Sequence, residues 1–110
     1  METIYNINPN IYNSKYIIIY GAGTSGQKLL TQLLYDNVYI NYFCDSNDKL
    51  WGQYVMNKQV ISLQDLIKIK DESAVLVSSV YCVEIYDSLK ELGINKVFFT
   101  HKDLFGSTKP

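Results

Sequence analysis

A strand-like run leads directly into a glycine-rich turn in residues 16–26, YIIIYGAGTSG. The β-branched and aromatic residues Tyr16–Tyr20 are typical of a strand that is buried on both faces of a parallel sheet. The turn Gly21–Gly26 fits the spacing G-x-G-x-x-G, and apolar residues then recur at helical spacing: Leu29, Leu30, Leu33 and Leu34. A strand, a glycine turn and a helix in this order predict the first unit of an α/β fold with a phosphate site at the turn.

Strands and helices continue to alternate along the chain. Further strands are predicted at residues 39–43, 74–77 and 97–99, and residues 46–59 are polar, with a candidate peripheral strand at 54–56. Helices are predicted from Ser62, where Asp65 completes a capping box, and across Ile85–Leu92, which Gly93 terminates. This alternation predicts an α/β fold with a doubly wound parallel sheet in three α/β/α layers. We expect the order 2-1-3-4 for the four main strands.

Length and composition restrict the organisation and the partners. The 110 residues fit one domain, which we expect at 15–100, between an Asn-rich arm at 1–14 and a polar tail at 101–110. Ten lysines balance eleven acidic residues and the chain has no arginine, so nucleic-acid binding is not expected. No apolar run is long enough to cross a membrane, and the first residues lack the pattern of a secretory signal, which favours a cytoplasmic protein.

Each glycine of the turn has a separate predicted role. Gly21 permits the tight turn, Gly23 lets a phosphate approach the backbone, and Gly26 lets the helix pack closely on the strand. The helix N-terminus offers N–H groups and a partial positive charge to a pyrophosphate. Asp45 follows the second strand, where an acid binds ribose hydroxyls and repels a 2′-phosphate, so NAD or a nucleoside-diphosphate sugar is favoured over NADP. The alternative is that the glycines only form a turn and that Asp45 caps a loop.

Other candidate chemistry is sparse. Ser78 and Ser79 follow the third strand and are expected to face the crevice beside the glycine turn, or else to cap the next helix. Tyr86 and Lys90 match the Tyr-x-x-x-Lys pair of short-chain dehydrogenases, but Tyr86 fits the packed border of an amphipathic helix better. No residues have metal-ligand spacing, and no nucleophile has a base, so we expect no metal site and no active site confined to this chain.

Several segments resemble, in the same order, the N-terminal Rossmann domains of bacterial surface-polysaccharide enzymes: Ile17–Gly23, Phe43–Asn47, Gly52 and Val60–Ser62. That group includes nucleotide-sugar dehydratases and epimerases, and sugar acyltransferases with a similar module. Over residues 15–100, the resemblance implies that NAD or a nucleoside-diphosphate sugar is bound by Gly21, Gly23, Thr24, Ser25, Gly26 and Asp45. Ser25 stands where the acyltransferases usually have a histidine, and neither their hexapeptide-repeat domain nor the dehydratases' second Rossmann domain is expected in this chain.

Three functions are compatible with the sequence. The favoured one is a nucleotide-binding module of a surface-polysaccharide or sugar-nucleotide biosynthesis enzyme, with catalysis in a partner or in a further domain. The second is a small stand-alone NAD-dependent oxidoreductase, and the third is a ligand-free regulatory or oligomerisation domain. The expected partners are a small-molecule nucleotide and either a separate catalytic domain or a second copy, which the Asn- and Tyr-rich arm would contact.

Overall fold

The structure, a computed structural model, describes residues 8–78 and 82–99. Its strands are β1 (Tyr16–Tyr20), β2 (Tyr42–Cys44), β3 (Tyr54–Val55), β4 (Lys58–Ile61), β5 (Ser73–Val77) and β6 (Val97–Phe98). Its helices are α1 (Pro9–Tyr12), α2 (Thr24–Tyr35), α3 (Leu63–Lys68) and α4 (Cys82–Glu91), with short 3-10 turns at Asp48–Leu50 and Lys70–Glu72. Strands and helices therefore alternate as in an α/β fold.

The strands form one sheet in the order β3-β4-β2-β1-β5-β6. All neighbouring strands pair in parallel except β3 and β4, which are antiparallel. β1 is central, because Ile19 lies opposite Phe43 of β2 on one side and Leu76 of β5 on the other. The chain leaves β1 toward β2 and β4 and then crosses back to β5 and β6. The carboxyl ends of β1 and β5 therefore flank the point at which the strand order reverses, which is where α/β sheets bind ligands.

The sheet has more strands than the four-strand order 2-1-3-4 that the sequence predicts. The four predicted strands stand in it as β2-β1-β5-β6. The candidate peripheral strand at 54–56 is present as β3 at the edge of the sheet, and β4, which the sequence does not predict, lies between β3 and β2. β4 escapes sequence analysis because it begins with the polar residues Lys58 and Gln59. The hairpin turn before it also lacks a glycine, since Met56 and Asn57 adopt φ angles of 49° and 67° there, as a two-residue hairpin turn requires.

The second predicted strand is shorter than the sequence indicates, since β2 begins at Tyr42 and not at residue 39. Just before β2, the Asn41 side-chain Oδ1 accepts a hydrogen bond from the Ile17 backbone N–H at 2.8 Å. A side chain therefore takes the place of a strand carbonyl. Ile40 is fully buried while Tyr39 is exposed, so the apolar pattern at residues 39–43 reflects burial more than strand pairing.

Strand side chains alternate between two apolar layers. One layer joins β1 to α2 and includes Ile19 and Leu30. The opposite layer joins β1 to α3 and α4 and includes Ile18, Leu66 and Leu89. Helices therefore cover both faces of the sheet, and the carboxyl edge of the strands is left as the place for a site.

Helix ends follow their sequence signals. The Ser62 Oγ accepts a hydrogen bond from the Asp65 backbone N–H at 3.1 Å, and the Asp65 carboxylate accepts one from the Ser62 N–H, which confirms the capping box. Gly93 follows α4 with a φ of 82°, as a helix-terminating glycine does. In the segment predicted as an arm, Pro9 begins α1, and Ile11 is fully buried in the layer of α2. The described part of that segment, from residue 8 onward, therefore contributes Ile11 to the core.

Candidate functional site

The glycine turn crosses the carboxyl edge of the sheet between β1 and α2. Gly21 has a φ of +103°, a conformation that side chains other than glycine rarely adopt. Its backbone N–H donates to the Cys44 carbonyl oxygen at 2.7 Å. The predicted role of Gly21 in the turn is thus confirmed, and the turn is bonded to the end of β2, directly before Asp45.

Gly26 lies where α2 packs against the start of the same turn. A Cβ atom at this position would collide with the Gly21 carbonyl oxygen and would lie 3.3 Å from the Ile19 Cγ2 atom. Gly26 is also buried. The close packing that the sequence predicts for Gly26 is therefore confirmed, and it holds the N-terminus of α2 against the end of β1.

Gly23 has the opposite surroundings. It is the N-cap of α2, with a φ of −86°, and no atom of the described residues lies within 4 Å of the place that a Cβ would occupy. Within the part of the chain that the structure describes, no side chain caps the helix, and the first helical bond runs from the Gln27 N–H to the Gly23 carbonyl at 2.9 Å. The backbone N–H groups of the first three helical residues therefore have no acceptor within the helix.

These N–H groups border an open pocket of about 260 Å³. Thr24 and Ser25 are exposed at its rim. The pocket is lined by Tyr20, Gly21, Gly23, Thr24, Ser25 and Gly26. Five of the predicted site residues are thus brought together around one cavity at a helix N-terminus.

Asp45 joins this turn to the loop that follows β2. Its Oδ2 accepts a hydrogen bond from the Ala22 N–H at 2.9 Å, and its Oδ1 accepts one from the Asn47 N–H at 2.9 Å. Its backbone N–H donates to the Ile61 carbonyl at 3.3 Å, and its carbonyl accepts from the Trp51 indole Nε1 at 2.6 Å. Every polar group of Asp45 is engaged, so the carboxylate is held in one place next to the glycine turn. Asp45 therefore also caps the loop, as the alternative interpretation predicts, because its Oδ1 accepts the hydrogen bond from the Asn47 N–H.

Ser78 follows β5 at the same edge. Its neighbour Val77 lies opposite Tyr20 in the sheet, which places Ser78 beside the beginning of the glycine turn. The Ser78 Oγ is buried and has no hydrogen-bond partner within the part of the chain that the structure describes. A buried hydroxyl without a partner is uncommon, and this one lies at the edge of the sheet that carries the glycine turn. Ser79 and the residues that would cap α4 lie outside the described residues, so their predicted roles stay predictions.

Sequence analysis did not single out Tyr20 or Trp51. Burial raises the pKa of the Tyr20 phenol, the nearby Cys44 and Asp45 raise it further, and a hydrogen bond with Ser46 acts in the opposite direction. The phenol is therefore neutral at ordinary pH and borders the pocket as a hydrogen-bonding group. Two features of the sequence could have pointed to these residues: Tyr20 lies directly before Gly21, and Trp51 is the single tryptophan of the chain.

The remaining reactive side chains have structural surroundings. Burial, with smaller effects from Asp45 and Asp65, raises the pKa of the Cys44 thiol to about 12, so this thiol is neutral and a poor nucleophile. The Tyr86 ring packs against the Phe99 ring with 5.2 Å between centroids, and the Lys90 Nζ donates to the Asn95 carbonyl. These contacts favour the packing interpretation of Tyr86. Among residues 8–78 and 82–99, no cluster of three potential metal ligands occurs.

A mostly parallel sheet whose first strand leads through a glycine turn into α2 defines a Rossmann-like domain. Solved structures share this fold. RSP, a Rex-family repressor, superimposes with a TM-score of 0.61 at 16% identity over 84% of this chain and 48% of that chain. Its complex with β-NADH gives a TM-score of 0.58 at 17% identity, over 83% of this chain and 48% of that one. UDP-D-quinovosamine 4-dehydrogenase from Vibrio fischeri gives 0.60 at 24% identity, over 78% of this chain and 75% of that one.

The sequence places the chain in one family. Residues 13–97 match the family described as C2185-like, N-terminal, and the chain belongs to this family. No curated protein matches the sequence. The chain spans about half the length of the Rex-family repressor. Within the described residues, every helix is too short or too polar to cross a membrane.

Proposed function

We propose that this domain binds a nucleotide, either NAD or a nucleoside-diphosphate sugar, at the edge formed by the glycine turn and Asp45. The observation that carries the proposal is the hydrogen bond of 2.9 Å between the Ala22 N–H and the Asp45 Oδ2. This bond fixes the Asp45 carboxylate, the acid proposed to bind ribose hydroxyls, directly beside the N-terminus of α2, where the first N–H groups have no acceptor within the helix. In a nucleotide the phosphate is attached to the ribose, so the two sites must be adjacent. Here the hydrogen bond between Ala22 and Asp45 joins the proposed phosphate site to the proposed ribose site.

The phosphate half of the site fits a diphosphate. Thr24, Ser25 and Gly26 offer backbone N–H groups, and the positive end of the helix dipole favours an anion there. Among the described residues, none occupies the space above Gly23, so phosphate oxygens can approach the backbone there without meeting a side chain of these residues. The hydroxyls of Thr24, Ser25 and the buried Ser78 Oγ add donors to a chain that has no arginine.

The ribose half of the site is the Asp45 carboxylate. Each carboxylate oxygen accepts one backbone hydrogen bond and retains a lone pair for a second donor. Two adjacent ribose hydroxyls are donors of suitable spacing for a bidentate contact. The two backbone bonds hold the carboxylate in place before the ligand arrives, which lowers the ordering cost of binding.

We propose further that residues 15–100 are the binding module of a surface-polysaccharide or sugar-nucleotide biosynthesis enzyme whose catalytic groups lie outside these residues. The resemblance to the N-terminal domains of such enzymes supports this context. Among the described residues, no group of three potential metal ligands occurs and the Cys44 thiol is neutral, which agrees with this proposal. NAD or the sugar nucleotide would supply the reactive group, and this domain would bind and orient it.

A thermal-shift screen of the full chain tests the proposal. The ligands are NAD, NADP, UDP-glucose, coenzyme A and S-adenosylmethionine, because a ligand bound only by the native state raises the melting temperature. We expect NAD or UDP-glucose to raise it in a concentration-dependent manner. No shift with any nucleotide contradicts the proposal and favours a ligand-free regulatory or oligomerisation domain. Turnover of NAD with a simple alcohol or sugar substrate by the chain alone would favour a stand-alone oxidoreductase.

A further inference from the structure

The indole ring of Trp51 lies beside the proposed ribose site and is both partly exposed and hydrogen-bonded. It is 42% exposed and belongs to neither apolar layer of the sheet. Its Nε1–H nevertheless donates to the Asp45 carbonyl oxygen at 2.6 Å. The ring is therefore held in place by its one polar atom while part of its surface stays accessible to a ligand.

The backbone around Trp51 is fixed as firmly as its side chain. Gly52 adopts a φ of 83°, and its N–H donates to the Val60 carbonyl of β4 at 2.8 Å. The Gln53 carbonyl accepts from the Val60 N–H at 2.8 Å, and the Gln53 N–H donates to the Leu50 carbonyl at 2.9 Å. The ring therefore projects from a loop that is bonded to the sheet on one side and to Asp45 on the other.

We propose that Trp51 stacks on the base of the bound nucleotide, and this inference rests on the proposed nucleotide-binding function. A ribose held by Asp45 through its 2′- and 3′-hydroxyls carries its base on the neighbouring C1′ atom. The base therefore lies close to the groups that surround Asp45. Trp51 is one of these groups, because its indole N–H is hydrogen-bonded to the Asp45 backbone carbonyl. Planar bases stack on aromatic rings whatever their hydrogen-bonding pattern, so the contact accepts adenine or uracil.

The alternative is that Trp51 only fastens the loop through its hydrogen bond to Asp45. Two substitutions separate the roles. Trp51→Phe retains an aromatic face and removes the N–H donor, whereas Trp51→Leu removes both. Tyr54→Leu is the matched control, because Tyr54 lies in β3 of the same hairpin region and is also strongly exposed.

The experiment uses the full chain with ADP, UDP and inorganic pyrophosphate as probes, read by calorimetry and by tryptophan fluorescence. Trp51 is the only tryptophan, so any tryptophan signal reports this site. We expect ADP or UDP to quench the fluorescence and pyrophosphate to leave it nearly unchanged. Loss of stacking in Trp51→Leu should weaken binding of ADP or UDP about tenfold, while Trp51→Phe and Tyr54→Leu remain within about threefold of the unmodified chain, and pyrophosphate affinity is unchanged throughout.

Three outcomes overturn the inference, and they are distinguishable from one another. If ADP or UDP binds by calorimetry without quenching, and Trp51→Leu binds as tightly as the unmodified chain, the stacking role is wrong while the proposed function stands. If Trp51→Phe loses as much affinity as Trp51→Leu, the hydrogen bond matters and stacking does not. If neither ADP, UDP, NAD nor UDP-glucose binds at all, both the inference and the proposed function fail. Thermal melts followed by circular dichroism show whether each variant is folded.

Discussion

The glycine turn and the loop after β2 meet at the same edge of the sheet, but they are held in opposite ways. The turn depends on the absence of side chains: a Cβ at Gly26 would collide with the Gly21 carbonyl, and Gly21 needs a positive φ. The loop depends on the presence of side chains, because those of Asp45 and Asn47 accept hydrogen bonds from its backbone and that of Trp51 donates one to it.

This difference determines what each region tolerates. In the turn, a side chain at Gly21 or Gly26 destabilises the fold, whereas a side chain at Gly23 only blocks the pocket. In the loop, a removed side chain leaves a backbone group without its partner.

The largest expected effect is that of Gly26→Ala. The new methyl group would overlap the Gly21 carbonyl oxygen, which neither α2 nor β1 can avoid without moving, so the free energy of unfolding should fall by about 3 kcal/mol. Gly23→Ala is the matched control, since its Cβ meets nothing and the cost should stay within about 1 kcal/mol. Urea denaturation of both variants checks this. Equal stability of the two would contradict the account of the turn.

The next prediction concerns Cys44, the residue whose carbonyl links the two regions. Its folded pKa of about 12 exceeds the ordinary value of 9.0, so the thiol ionises in the unfolded chain first. Stability from this group is complete below pH 9.0 and falls as the pH rises toward about 12. The free energy of unfolding of the unmodified chain should decrease with pH more steeply in this window than that of Cys44→Ala. Parallel slopes for the two chains would show that the thiol is not desolvated.

Asp45→Ala tests the loop. The Ala22 N–H and the Asn47 N–H would both lose their acceptor, and Ala22 is buried. An unsatisfied buried donor costs about 1–3 kcal/mol, so we expect a stability loss of about 2 kcal/mol. Asp48→Ala removes an exposed acid from the same loop and serves as the control. If the two variants unfold at the same urea concentration, Asp45 does not link the turn to the loop.

The smallest effect concerns the choice between NAD and NADP. A 2′-phosphate would meet the Asp45 carboxylate at contact distance, and the chain has no arginine to offset the repulsion. The exposed Lys49 ammonium offsets at most about 1 kcal/mol. We expect NAD to bind at least about tenfold more tightly than NADP, which is ~1.4 kcal/mol. Calorimetry that shows tighter binding of NADP would mean that Asp45 does not face the 2′-position.

The two regions also differ in how far the sequence predicts them. The turn is predictable because its geometry depends on glycines at fixed spacing after an apolar strand, and both properties are visible in a single sequence. The helix start at Ser62 is predictable for the same reason, since the capping box is local. The loop is not predictable, because Trp51 reaches Asp45 through a bond that depends on the path of the chain between them.

Strand β4 is also not predictable from the sequence. Its pairing with β2 is long-range, its first residues are polar, and its hairpin turn uses Met56 and Asn57 where a glycine would have been a signal. The buried Ser78 Oγ is a further case. The sequence places Ser78 at the edge of the sheet, but only the structure shows that this hydroxyl lacks a partner among the described residues.

The most direct measurement for the central claim is calorimetric titration of NAD and UDP-glucose into the unmodified chain and into Gly23→Val. The valine occupies the open space above the N-cap, where phosphate oxygens would approach, and its extended backbone conformation suits a branched residue. We predict that the unmodified chain binds one of these ligands and that Gly23→Val loses binding at least about a hundredfold, ~2.8 kcal/mol, while its free energy of unfolding stays within about 1 kcal/mol of that of the unmodified chain. Equal affinity in both chains would contradict the assignment of this edge as the nucleotide site.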